Sequence, residues 1–106
     1  MNAKEFVANW DALKAELLES FMARDGGSDV AARVQTMVLS PAQTEQMRNV
    51  LDVALRDTMY TLLLALDGAA SLGDDQQQFT ISDEEGNVIE GIEHAAWERF
   101  HEPPRG

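Results

Sequence analysis

The segment from Ser40 to Asp67 constrains this chain more than any other. Ser40-Pro41-Ala42-Gln43 combines an N-cap hydroxyl, a proline with no amide hydrogen to satisfy, and a glutamine placed to complete a capping box. From there Met47, Val50, Leu51, Ala54, Leu55, Met59, Leu62, Leu63 and Leu66 follow helical spacing. Twenty-odd residues at about 1.5 Å each make a rod of roughly 35–40 Å. In a chain of 106 residues, which has room for one core, such a rod is the expected central element.

Near its end the rod changes character, because Tyr60, Leu62, Leu63, Leu64, Ala65 and Leu66 are apolar on nearly every side. A helix of that kind needs cover all round. The first helix, the C-terminal part and a second subunit can all supply it, which favours a homodimer. A membrane span fits poorly, since the uncharged run from Thr58 to Leu66 is nine residues and a span needs about 20.

Phe6, Trp10, Leu13, Leu17 and Phe21 recur every three or four residues, with Val7, Leu18 and Met22 widening the stripe. This predicts an amphipathic helix over 3–23, ended by the turn formers Asp25-Gly26-Gly27. Ser28 suits a second N-cap and Asp29 suits the positive end that follows, so a short helix is expected over 29–38, with a strand as the alternative near its end where Thr36 and Val38-Leu39 stand. After Asp67-Gly68 the chain turns to small and acidic residues. Gln78 to Ser82 then alternate polar and apolar, Asp83-Glu84-Glu85-Gly86 has the makings of a reverse turn, and Asn87 to Glu90 would return as a partner strand. A β-hairpin is therefore expected. Gly91 would end it, and Ile92, Ala95, Ala96, Trp97 and Phe100 suggest a last short helix before the tail His101 to Gly106. The resulting expectation is an α+β fold, mainly α, in a single domain. Its parts would be a helical portion 1–67, the hairpin and short helix over 68–102, and a tail 103–106.

The net charge of −11 argues against a nucleic-acid backbone or an anionic membrane surface as partner. It is also unevenly placed. Residues 1–66 carry nine acids against six bases and residues 67–106 ten against two, which puts −8 of the −11 in the last 40 residues. With no cysteine there are no disulfides or thiolate chemistry, and the interrupted N-terminus argues against a secretory signal, so a cytoplasmic location is expected.

Candidate chemistry is sparse. His94, Glu98 and His101 fall at i, i+4 and i+7, a spacing on which two imidazoles and a carboxylate can hold a divalent metal; a solvated terminal face is the simpler account of all three. The acidic turn fails as a calcium loop, because Val88 and His94 stand where glycine and a bidentate glutamate are required. No nucleophile arrangement or phosphate-binding glycine loop is present. The expectation is a non-enzymatic protein without cofactor.

Asp67 is different. A negative charge at a helix C-terminus opposes the helix dipole, so it either caps the amides of Ala69 to Ser71 or grips an arginine of this chain or a partner. The leading function expected is binding of a basic partner protein, as an inhibitor, immunity-type protein or adaptor, through Asp74, Asp75, Asp83, Glu84, Glu85, Glu90 and Glu93. The alternative is a homodimeric small-ligand-binding protein with a pocket beside the long helix near Met59, Tyr60 and Trp97. A metal-dependent enzyme at His94, Glu98 and His101 is the third.

Overall fold

Asn2 opens the first helix, α1 (Ala3–Met22). Its side-chain oxygen accepts the Glu5 amide at 2.8 Å, and Glu5 reaches back to the Asn2 amide at 3.4 Å, a reciprocal cap. The computed structural model describes residues 1–24 and 27–101. Asp25 and Gly26 of the expected turn Asp25-Gly26-Gly27, and the tail beyond His101, therefore lie outside the described residues. Three further helices follow: α2 (Asp29–Thr36), α3 (Pro41–Leu66) and α4 (Ile92–Phe100).

The chain divides into two compact units, Met1–Asp11 with Asp57–Gly106 (unit 1) and Ala12–Arg56 (unit 2), so that α1 and α3 each contribute to both. Unit 2 is held by Leu18 and Ala31, both buried, and by the Ser28 cap. Ser28 Oγ accepts the Ala31 amide at 3.1 Å and donates to the Ser20 carbonyl at 3.2 Å, which ties the start of α2 to the end of α1. At the start of α3 the expected capping box is present: Ser40 Oγ accepts the Gln43 amide at 3.2 Å and Gln43 Oε1 accepts the Ser40 amide at 2.9 Å. Lys14 pairs with Asp52 at 2.5 Å, and Arg48 with Glu19.

Unit 1 holds the main core, Val7, Leu63, Ile89, Ile92 and Ala96, with Phe6, Trp10, Ile81 and Phe100 packed against it. Trp10 is half-buried here, and its Nε1–H finds the Met59 carbonyl at 3.0 Å. Leu63 and Ala65, on opposite sides of the helix, are both buried, and Tyr60, Leu64 and Leu66 are half-buried, whereas Leu62 stays 38% exposed, so most but not all of the apolar end of α3 is covered.

The expected α+β class and its hairpin are overturned: among the described residues the ordered elements are four helices, with no strand. What stands between α3 and α4 is one isolated antiparallel bridge, Ser82 to Val88, beside an Ile89 amide on the Ile81 carbonyl at 2.8 Å. The reason is cover. Ile81 and Ile89 are drawn onto the helical core, but Phe79 and Val88 are 46% and 53% exposed. With no third strand to extend the pairing, a two-stranded ladder has little to hold it. The turn itself forms where expected, with Gly86 at φ 87° and its amide on the Asp83 carbonyl at 3.0 Å. No helix among the described residues is long and apolar enough to cross a membrane.

Candidate functional site

The C-terminus of α3 closes with two backbone hydrogen bonds, Ala69 N–H to Leu64 O at 2.8 Å and Gly68 N–H to Ala65 O at 3.3 Å, with Gly68 at φ 84°. This is the Schellman arrangement, in which glycine accepts the left-handed backbone after the last turn. Because those amides are taken by backbone carbonyls, the Asp67 side chain is not needed for the local turn. Its Oδ2 instead accepts the Glu93 amide at 2.9 Å, in the first turn of α4. Gly91 precedes α4 at φ 78° and has no side chain to cap it, so Asp67 does so from 26 residues away. A charge badly placed for one helix is thereby well placed for the next.

Beside this cap lies a cavity of about 380 Å³ lined by Tyr60, Asp67, Gly91, Glu93, His94 and Trp97. Its aromatic wall is braced from within unit 1. Tyr60 stacks on Phe100 with ring centroids 6.3 Å apart, and His101 packs against both Tyr60 at 4.3 Å and Trp97 at 5.2 Å. Trp97 nevertheless keeps 52% of its surface exposed.

His94 Nε2 lies 2.9 Å from Glu98 Oε1. His101 is held instead by the two aromatic rings, and no group of three His, Cys, Asp or Glu side chains among the described residues is arranged to hold a metal ion.

Among the expected partner-facing carboxylates, Asp75 accepts a long contact from Gln77 Nε2 at 3.5 Å, and Asp83 has the fullest internal role. Its Oδ1 accepts the Glu85 amide at 3.0 Å and the Asn87 amide at 2.9 Å, and its Oδ2 receives the Met1 ammonium at 2.8 Å. The ammonium, then the Asn87 and Glu85 amides, hold its pKa down at about 2; the same contact raises that of the ammonium above its ordinary value. Asp74, Asp75, Glu84, Glu85, Glu90 and Glu93 are exposed, and among the described residues none of the six pairs with a cation.

Division into units sharpens the charge asymmetry beyond what the order of the chain conveys. Unit 1 carries thirteen acids and three bases, a net of −10, and unit 2 six acids and five bases, a net of −1. Two features were missed from sequence, the Asp67 cap on α4 and the His101 contacts. The first had a signal: a side-chain-less Gly91 before one helix and a misplaced aspartate at the end of another. Compared with protein-family profiles, curated proteins and solved structures, the chain matches none.

Proposed function

We propose that this protein is a non-enzymatic binding protein whose acidic unit 1 docks a basic partner protein, in the manner of an inhibitor, immunity-type protein or adaptor, in the cytoplasm. The observation that carries the reading is the −10 of unit 1 together with six exposed carboxylates, Asp74, Asp75, Glu84, Glu85, Glu90 and Glu93, that have no cation among the described residues. A surface of that kind accelerates encounter with a cationic partner and rejects anionic ones. Asp83 belongs to the turn that presents Glu84 and Glu85 rather than to the contact itself.

The test is association kinetics against a panel of basic proteins across ionic strength. The on-rate is expected to fall steeply with salt, and neutralising the six carboxylates to Asn or Gln is expected to lower it by about 10- to 100-fold at low salt. A salt-insensitive on-rate unchanged in that variant would sink the proposal.

The cavity beside Tyr60 and Trp97 supports the alternative, a small-ligand-binding protein. A shift in melting temperature with uncharged small molecules would favour it. Exposed Val50 and Val53 on α3 support a second copy as cover, which light scattering over a concentration series tests.

A further inference from the structure

The cavity at the α3–α4 junction combines open aromatic surface with carboxylates in one lining. Tyr60 and Trp97 supply the first, Asp67 and Glu93 the second. A π face attracts a cation, and it attracts guanidinium best because the flat ion can stack on an indole or phenol while its N–H groups remain free to reach a carboxylate. Lysine offers a compact, strongly hydrated charge that loses more water on entry. We infer that this cavity is the anchor site for an arginine side chain of the basic partner, with the guanidinium against Trp97 and Tyr60 and its donors directed to Glu93 and Asp67. This inference rests on the docking reading above and adds to it the identity of the residue that enters.

The electrostatics of the lining support a cation. The first turn of α4 brings roughly half a positive charge to the cavity edge, but Asp67 already sits on it through the Glu93 amide, and Glu93 leaves a further full negative charge. A carboxylate that accepts one backbone amide retains lone pairs for a second donor. His94 is engaged with Glu98 at 2.9 Å. Size agrees as well, since about 380 Å³ holds an arginine side chain with some water. The wall does not have to be built on arrival, because His101 and Phe100 already hold Tyr60 and Trp97.

Three peptides test this on the whole protein: acetyl-(Gly-Arg)3-amide, its lysine counterpart and its citrulline counterpart. Binding is read by titration calorimetry and by the indole N–H resonance of Trp97, with the Trp10 resonance, whose N–H is held by the Met59 carbonyl, as internal control. The arginine peptide is expected to bind at least about fivefold more tightly than the lysine peptide and to move the Trp97 resonance alone; citrulline is expected to bind neither detectably nor at Trp97. Trp97→Leu is expected to remove the arginine preference. Asp67→Asn, which keeps an acceptor for the Glu93 amide, combined with Glu93→Gln is expected to weaken arginine binding about tenfold with only a small change in melting temperature.

Equal, salt-sensitive binding of the arginine and lysine peptides, unmoved by Trp97→Leu, would overturn the anchor while leaving acidic docking intact. Arginine binding that is lost in Trp97→Leu but indifferent to salt and to neutralising Asp74, Asp75, Glu84, Glu85 and Glu90 would uphold the anchor and overturn acidic docking. Binding of no peptide at all would overturn both.

Discussion

Val38 holds φ at +51° although its side chain is branched at Cβ, and that side chain is 86% exposed. The left-handed region costs a valine roughly 1–2 kcal/mol, and no burial offsets it here. Val38→Asn, which tolerates that backbone, is expected to raise stability by about 1 kcal/mol, measured by chemical denaturation; a loss would show that Val38 is packed in a way its exposure belies. Asp83 is the second residue whose state can be followed. Its folded pKa of about 2 lies below the ordinary 3.8, so its contribution is complete above about pH 4 and is lost as pH falls towards 2. The Met1 ammonium is shifted the opposite way, upward from 8.0, so its part is complete below about pH 8 and is lost as pH rises through the raised value. Hydrogen exchange at the Glu85 and Asn87 amides, corrected for intrinsic rate, is therefore expected to be slowest between about pH 4 and 8 and to quicken severalfold in Asp83→Ala. Protection that is flat from pH 3 to 9 would refute the assignment.

Among the elements, α3 and α4 share core packing, the Tyr60–Phe100 ring contact and the Asp67 cap, and the start of α3 and that cap differ in how far they could be foreseen. The start of α3 was legible because Ser40, Pro41 and Gln43 satisfy one another within four residues. So was α1, whose periodic apolar stripe runs over its whole length. The cap of Asp67 on Glu93 spans 26 residues and depends on where the loop returns, which no local pattern encodes. The 79–89 segment failed for a related reason. Its alternation described which residues turn inward, Ile81 and Ile89, but a strand also needs a neighbour along its edge, and that is a property of the rest of the chain. The acidic surface was legible as composition, whereas its union with α1 residues in unit 1 was not. The cap itself is measurable: Asp67→Ala is expected to cost about 1 kcal/mol, as loss of an N-cap does, and Asp67→Asn only a fraction of that. Equal losses in the two variants would mean that charge, not hydrogen bonding, is what α4 takes from Asp67.

At the scale of the whole molecule, charge sets the two units apart and gives them opposite responses to salt. Unit 2 is nearly neutral at −1 and includes the ion pairs Lys14 with Asp52 and Arg48 with Glu19. Screening weakens such pairs, each worth about 0–1 kcal/mol at a surface. Unit 1 also includes ion pairs, such as Met1 with Asp83 and Arg99 with Asp11, but they stand against a net of −10. There the repulsion among carboxylates dominates, and screening relieves it. Raising ionic strength from about 10 mM to 150 mM shortens the Debye length from about 30 Å to 8 Å, a change from spanning a small domain to reaching only near neighbours. Amide protection in unit 1, at Leu63 and Ala96, is therefore expected to rise with salt, while that at Leu18 and Ala31 in unit 2 stays level or falls. A uniform rise across both units would point to a general salt effect on apolar burial instead. Repeating the measurement in the variant that neutralises the six exposed carboxylates separates these causes, because the unit 1 response vanishes there only if those side chains produce it.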